Sequence, residues 1–241
     1  MTLVYRHNES GFGNLVIMLS DIYGTCKHVH KEVHDNELGN CVVLNGFTVV
    51  DWEDLPQPQP KIQICEYTVQ TVHPSIREIV QPTDYMKSLI EKHKHLVENV
   101  SAGIHIRRGA YSKDSLQTSL QPDQTYYQCS DDSLSRFKHI IANLPGRVYV
   151  ASDSIETKND IIQEFGSKVS FLDTEFAHTA GHKHTHVLKH ENLHNAYLEW
   201  FLLSMCPVLY LTGGRTDLVG FSTFGYTAAV YGSKPFHLIF N

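Results

Sequence analysis

From residue 101 onwards, short apolar stretches alternate with segments of helical periodicity, and this alternation constrains the fold more than any other feature. Apolar stretches of strand length end near residues 106, 151, 172 and 211, and helical patterns occupy intervals between them. Strands that alternate with helices form parallel, doubly wound sheets. We therefore predict an α/β fold whose second half is a doubly wound sheet.

The first hundred residues carry shorter and more scattered signals. They predict four strands and two helices, with the strands over residues 3–5, 42–44, 47–50 and 62–67 and the helices over 15–23 and 85–97. The Asn-Gly pair at residues 45–46 favours a hairpin between two of these strands. We place a domain boundary between the second helix and Gly103, which gives an N-terminal domain over 1–100 and a C-terminal domain over 101–241.

Composition excludes several functional classes. The chain has 241 residues, a formal net charge of -6 and a pI near 6.2, so a general nucleic-acid surface is not indicated. No stretch approaches the roughly 20 apolar residues of a membrane span. The polar residues 1–6 predict no signal peptide, hence a soluble, cytoplasmic protein. Five scattered cysteines without a Cys-x-x-Cys pair suggest neither disulfides nor a cysteine zinc site.

Polar side chains follow three of the predicted strands or stand where a new helix begins. Arg107 and Arg108 end one strand, Asp153 follows the next, and Ser222 and Thr223 precede a small-residue helix. In a doubly wound sheet such ends can converge on one edge, where ligands bind. Guanidinium groups suit a diphosphate, and hydroxyl and backbone N–H groups at a helix start suit its oxygens. Taken singly, Asp153, Ser222 and Thr223 are equally well explained as helix caps.

A fourth feature lies near the N-terminus. Residues 11–14, Gly-Phe-Gly-Asn, form a glycine turn between a strand and a helix. Glycines at such a turn let a ligand approach the backbone, and the helix N-terminus favours an anion. A simple tight turn explains the pattern equally well.

The four features together resemble the fucosyltransferase-type glycosyltransferases of the GT-B class, which include α1,6- and α1,2-fucosyltransferases and protein O-fucosyltransferases. That family is marked by a Gly-x-Gly-Asn turn, a His-x-Arg-Arg strand end, an Ala-Thr/Ser-Asp strand end and a final serine segment before a helix. The matching segments here are residues 11–14, 105–108 (His-Ile-Arg-Arg), 151–153 (Ala-Ser-Asp) and 221–225 (Phe-Ser-Thr-Phe-Gly). The resemblance covers most of 101–232 and implies two facing Rossmann-like domains, the N-terminal one reduced.

The resemblance implies an inverting, metal-independent transfer of fucose from GDP-fucose to a glycan or another hydroxyl acceptor. Arg107 would then be catalytic, because it would bind the β-phosphate and offset the charge of the departing diphosphate. The other implied donor-site residues are His105 and Arg108 near phosphate and nucleotide, Asp153 on the guanine, and Ser222, Thr223 and Phe224 on phosphate and base.

On the acceptor side, the resemblance implies that Gly11, Gly13 and Asn14 border the sugar and the acceptor. A catalytic base should come from the same half, and the candidates are Glu9, Asp21 and Asp51. Where the family usually has an acid after the arginines, this chain has Ala110. That departure leaves UDP-linked or other GDP-linked sugars such as xylose open, as well as a nucleotide- or glycan-binding module without turnover.

Sixteen histidines suggest a further alternative. Five recur every four residues: His178, His182, His186, His190 and His194. On a continuous helix they would form one face that zinc can use, as in a zinc hydrolase. Gly181 and the β-branched residues nearby argue against such a helix, so we favour a polar loop and predict no metal site.

Overall fold

The structure is a computed structural model. It describes the backbone of residues 4–6, 12–22, 28–30, 38–50, 62–63, 76–108, 128–173, 190–214 and 221–241. Several predicted features lie outside these residues. They are Glu9, Gly11, Asp51, Ala110 and most of the histidine-rich stretch.

Eleven strands and eight helices make up the described part of the chain, apart from short 3-10 turns. In chain order they are β1 (Val4–Arg6), α1 (Phe12–Ile22), β2 (His28–His30), α2 (Leu38–Cys41), β3 (Val42–Leu44), β4 (Thr48–Val50), β5 (Ile62–Gln63), α3 (Ile76–Ile79), β6 (Val80–Pro82), α4 (Asp84–His93), β7 (Val100–Ile106), α5 (Asp131–Asn143), β8 (Arg147–Ser152), α6 (Ile155–Phe165), β9 (Val169–Ser170), α7 (His190–Met205), β10 (Leu209–Gly214), α8 (Thr223–Gly232) and β11 (Phe236–Phe240).

The C-terminal sheet has five parallel strands in the order β11-β10-β7-β8-β9, with β7 at its centre. Alternation along β7 places Ile104 and Ile106 in one apolar cluster, together with Phe137 of α5 and Ile161 of α6. The other face of the sheet is covered by α7 and α8, which belong to a second cluster. The predicted doubly wound sheet is therefore confirmed.

A second parallel sheet, in the order β4-β2-β1-β5, is formed entirely from the first hundred residues. The sequence indicated β1, β4 and β5 but not β2, because His-Val-His has a single apolar residue and resembles a surface group. Strand β11 was also missed. It is a short apolar segment at 236–240 that follows the turn-forming residues 232–235, Gly-Ser-Lys-Pro, so a usable signal was present.

The predicted hairpin between residues 42–44 and 47–50 is wrong. Asn45 and Gly46 do form a turn, with φ 85° at Gly46 and a bond from the Phe47 N–H to the Leu44 carbonyl. The two strands then diverge: β3 pairs antiparallel with β6, and β4 pairs parallel with β2. Pairing with strands distant in sequence, rather than the turn, decides their partners.

Helix α1 packs into the same core cluster as α7 and α8. The ring of Phe12 makes edge-to-face contacts with Tyr197 and Trp200, with centroids 4.7 Å and 5.1 Å away. The start of the N-terminal half thus lies against helices of the C-terminal half. The division of the chain at residue 100 stays a prediction.

Among the described helices, none combines the length and the apolar character needed to cross a membrane.

Candidate nucleotide site

The site lies where β7, β8 and β10 end, at the edge of the C-terminal sheet to which ligands bind in this class of fold. Since β7 pairs with both neighbours in parallel, the residues that follow these strands meet. Arg107 and Arg108 follow β7 and Asp153 follows β8. Thr212 of β10 joins them: its Oγ1 accepts a hydrogen bond from the Arg107 N–H at 3.0 Å.

The two adjacent arginines have different surroundings. The Arg108 guanidinium donates to the Cys129 carbonyl at 2.9 Å and to Asp131 Oδ1 at 2.8 Å, and its side chain is 9% exposed. It therefore ties the segment before α5 to the end of β7. The Arg107 side chain is 19% exposed, and its Nη1 lies 3.2 Å from Asp153 Oδ2. The Arg107 side chain is accordingly the more exposed of the two.

Asp153 joins both arginines. Its Oδ1 accepts the backbone N–H of Arg108 at 2.7 Å, its Oδ2 faces the Arg107 guanidinium, and its side chain is 5% exposed. The alternative role as a helix cap is excluded, because Ser154 caps α6 by accepting the Thr157 N–H at 3.2 Å. The observed role of the carboxylate is to hold the ends of β7 and β8 together.

The start of α8 forms the opposite wall of the site. Ser222 is the N-cap residue, and its N–H donates to the Thr212 carbonyl at 3.0 Å. Its hydroxyl does not cap the helix and is buried, with no hydrogen-bond partner among the described residues. The ring of Phe224 stacks on the imidazole of His105, with centroids 5.2 Å apart and planes 29° apart.

Helix α1 begins against the start of α8. A Cβ on Gly13 would lie 2.4 Å from the Phe224 nitrogen and 2.5 Å from the Thr223 carbonyl carbon, so only glycine fits there. Beside it, the Thr223 hydroxyl donates to Asn14 Oδ1. Two helix N-termini, which carry N–H donors and the positive ends of the helix dipoles, therefore meet at this point.

His105 lies beneath this junction, buried between β7 and α8. A Cβ on Gly225 would lie 2.9 Å from its Nδ1, so the missing side chain allows α8 to approach the ring. Burial lowers the pKa of His105 to about 4; Asp153 opposes the shift, while Arg107 and Lys158 add to it. The imidazole is neutral at pH 7, and its Nδ1 has no partner in the described part of the chain.

The structure thus brings together all the predicted site residues whose side chains it describes. They are Asn14, His105, Arg107, Arg108, Asp153, Ser222, Thr223 and Phe224. Gly13 joins them through its close approach to the backbone of α8. Of the candidate bases, Asp21 lies in the last turn of α1, about 10 Å along an ideal helix from Asn14. Its side chain is outside the description, as are Glu9, Gly11 and Asp51.

Sequence reasoning missed three contributors to this region: Thr212, Lys158 and Glu199. Thr212 is polar within an otherwise apolar strand, a signal that could have been used. The buried pair formed by Lys158 and Glu199, at 2.8 Å, has a sequence signal at one end only. Glu199 is the single charge in an otherwise apolar stretch over 196–203, whereas Lys158 lies among polar and charged residues of α6.

Of the five histidines spaced four residues apart, the structure describes the backbone of His190 and His194 only, both on α7. His194 lies on α7, where its Nδ1 is 2.8 Å from the hydroxyl of Tyr85. No group of three potential metal ligands occurs within the described ranges. His178, His182 and His186 lie outside them.

Comparison with known proteins shows a structural relationship without detectable sequence similarity. No protein-family model matches the chain, and no curated protein matches it. Among solved structures, the α-1,6-fucosyltransferase NodZ co-crystallised with GDP matches with a TM-score of 0.56 at 13% identity, over 94% of this chain and 91% of NodZ. A NodZ structure from Bradyrhizobium gives 0.55 at 13% identity, over the same shares of the two chains.

A third NodZ structure, soaked with GDP-fucose, matches with a TM-score of 0.53 at 12% identity over 95% of this chain and 92% of that one. At such identity the likeness concerns the fold. It agrees with the family that the four motifs resemble, whose GT-B architecture has two parallel-sheet halves. The chain therefore has a reduced GT-B fold, like that of these solved structures.

Proposed function

We propose that this protein is an inverting glycosyltransferase that transfers a sugar, fucose from GDP-fucose in the first place, to a hydroxyl group of a glycan or another acceptor. The observation that carries the proposal is that Arg107 and the N-termini of α1 and α8 lie at the same edge of the sheet. Thr212 links the end of β7 to α8, since its Oγ1 accepts the Arg107 N–H and its carbonyl accepts the Ser222 N–H, and α1 begins against α8 at Gly13. This arrangement concentrates positive charge and N–H donors where a diphosphate can bind.

In the proposed reaction, the acceptor oxygen attacks the anomeric carbon on the face opposite the nucleotide. The bond between that carbon and the diphosphate oxygen breaks, and its electron pair leaves with the diphosphate. Arg107 stabilises this developing charge, which is the step where a positioned donor contributes most. The proton of the acceptor passes to a base from residues 1–100, for which Glu9, Asp21 and Asp51 are the candidates.

The remaining site residues would bind the donor. The Ser222 hydroxyl and the first N–H groups of α8 suit phosphate oxygens, and neutral His105 beneath Phe224 supports that wall. Asp153 would reach the guanine in addition to holding Arg107, and Arg108 would act by fixing the end of β7. Gly13 and Asn14, with Gly11, would border the sugar and the acceptor.

We expect transfer to need no metal ion, because Arg107 and two helix N-termini can supply the positive charge that a metal provides in other transferases. A chelator should leave the rate unchanged, and a rate restored only by added divalent cations would contradict this part of the proposal.

The first experiment is a titration with GDP, UDP, GDP-fucose and UDP-xylose, followed by thermal shift and calorimetry. A nucleotide at 100 times its Kd stabilises the folded state by about 2.7 kcal/mol, and for a chain of this size Tm should rise by about 5–10 °C. Arg107→Lys keeps the charge but loses the fork geometry, so its response should be weaker. Arg136→Met is the matched control, since this exposed arginine bonds the Phe240 carbonyl away from the site.

The outcomes separate the alternatives. Stabilisation by GDP and GDP-fucose, with release of GDP in the presence of acceptors, supports the proposal. Preference for UDP keeps the fold assignment and rejects the fucose donor. Nucleotide binding without any sugar release favours a binding module, and no response to any nucleotide rejects the site.

A further inference from the structure

A buried ion pair lies next to the proposed donor site and is not used by the mechanism above. Lys158 of α6 and Glu199 of α7 are 2% and 1% exposed, and Nζ lies 2.8 Å from Oε1. Burying two charges costs several kcal/mol for each ion, and well-packed apolar residues are often as stabilising or more so. Stability alone therefore gives a poor account of this pair.

The pair lies just behind Asp153. Lys158 is in the first turn of α6, directly after the segment that carries Asp153 and its capping neighbour Ser154. Its N–H donates to the Ser154 carbonyl at 3.1 Å. The ion pair consequently holds the turn between β8 and α6 against α7.

Helix α7 also holds the other wall of the site. Trp200, the residue after Glu199, donates from its indole nitrogen to the Thr227 hydroxyl of α8 at 3.0 Å. Glu199 and Trp200 thus connect α7 to α6 and to α8 through adjacent residues. Asp153 precedes α6 and Ser222 precedes α8, so α7 supports both sides of the site.

Electrostatic coupling between these groups agrees with this placement. Burial raises the pKa of Glu199, Lys158 lowers it, and the charge of Asp153 adds to the rise. The pKa of His105 responds to Asp153, Arg107 and Lys158 as well as to burial. Charges of alternating sign, Arg107, Asp153, Lys158 and Glu199, therefore belong to one neighbourhood.

We propose that Lys158 and Glu199 are positioning residues for the donor site: their ion pair clamps the start of α6 to α7 and so holds Asp153 where it orients the Arg107 guanidinium for a nucleoside diphosphate. This inference rests on the proposed function, because its readout is nucleotide binding. Neither residue is assigned a contact with substrate.

The test compares Lys158→Met, Glu199→Gln and the double variant Lys158→Met/Glu199→Leu with the wild type, by Tm and by GDP calorimetry at pH 8. Lys158→Met leaves the Glu199 carboxylate without its donor, and Glu199→Gln keeps an acceptor but removes the charge that balances Lys158, so each should lower both Tm and GDP affinity. The double variant should regain most of the Tm while its GDP affinity stays about tenfold weaker than that of the wild type. If Tm and affinity are restored together, the pair is purely structural and the proposal is wrong.

Two further variants keep the test decisive if the double variant folds poorly. Glu199→Asp retains the charge but shortens the side chain, and it should bind GDP with intermediate affinity. Ile141→Ala removes buried apolar contacts on the opposite face of the sheet, so it should lower Tm without changing GDP affinity. If GDP affinity simply follows Tm across all variants, the positioning role is rejected.

A double-mutant cycle tests whether the pair acts through Arg107. Replacing Arg107 by Lys should weaken GDP binding several-fold less in the double variant than in the wild type, since its orientation is already lost there. Additive effects would contradict the proposal. A wild type that binds no nucleotide would reject the proposed function and this inference with it, whereas GDP binding that is equal in wild type and double variant rejects the inference alone.

Discussion

The end of β7 has two sides of opposite character, although each holds one of two adjacent arginines. On the α5 side, Arg108 is engaged by the Cys129 carbonyl and Asp131, and it fixes the chain. On the α8 side, the Arg107 N–H donates to Thr212, whose carbonyl accepts the N–H of Ser222 at the start of α8, and the Arg107 guanidinium faces Asp153. Neighbouring residues with the same chemistry thus have different partners, depending on what packs beside them.

Replacing each of the two arginines separately by methionine should give the largest difference between the two sides. Arg107→Met should reduce the transfer rate by about 10²–10³-fold, roughly 3–4 kcal/mol, because one donor to the developing charge is lost. Arg108→Met should mainly lower Tm, since the buried carbonyl of Cys129 loses its hydrogen-bond donor. Steady-state kinetics and thermal denaturation of both variants measure this. Equal losses of rate would show that both arginines contact the donor.

Lowering the pH should destabilise the folded protein through His105, which is buried against α8. Burial holds its pKa at about 4 in the folded protein, against an ordinary value of 6.5, so the unfolded chain binds the proton first as the pH falls. The free energy of unfolding is therefore unaffected by this group above about pH 6.5. It falls by about 3 kcal/mol in total as the pH is lowered from there to about 4. Urea midpoints of wild type and His105→Asn between pH 7 and 4.5 measure the difference.

The wild type must be compared with His105→Asn because Glu199 also changes the pH dependence of stability. Burial raises the pKa of Glu199, so its contribution has the opposite sign. The matched control is His139→Asn, the same change at an exposed position on α5. A His105→Asn profile parallel to that of the wild type would mean that the imidazole is not kept neutral by burial.

The next largest effect on the α8 side should come from adding a methyl group where α1 contacts α8. Gly13→Ala places a methyl group against the backbone of Thr223 and Phe224, and overpacking of this kind costs about 1–3 kcal/mol. We expect a lower Tm together with weaker GDP binding. Gly39→Ala is the control, since a Cβ there has no neighbour within 4 Å. An unchanged Gly13→Ala protein would show that the helix starts are further apart.

The smallest expected effect compares one hydroxyl on each side. Thr223→Val removes the bond to Asn14, and Ser133→Ala on α5 removes bonds to the Phe240 carbonyl and the Asn241 amide oxygen. Each should cost about 1 kcal/mol of stability. Only Thr223→Val should also weaken GDP binding, by a few-fold in calorimetry. A matching loss in the Ser133 variant would place α5 at the nucleotide as well.

Local sequence patterns predicted most of the second half of the molecule. Buried strands such as β7 and β8, and amphipathic helices such as α5 and α6, follow from periodicity over a few residues. Short or polar elements, β2 among them, have too few residues for a period to appear. The turn at Asn45 and Gly46 was predicted correctly, but the hairpin pairing expected from it is wrong, since pairing depends on distant segments.

By itself the sequence determined the α/β class, the placing of Arg107, Asp153 and Ser222 at strand or helix ends, and the family resemblance. Those features depend on residues that are close along the chain. Only the tertiary structure decided the partners of each guanidinium, because Arg108 bonds the Cys129 carbonyl and Asp131 across 21 and 23 positions, and Arg107 faces Asp153 on the neighbouring strand end. Long-range packing also created the Lys158–Glu199 pair: Glu199 is a lone charge in the apolar stretch 196–203, but only the fold brings Lys158, 41 positions away, to it.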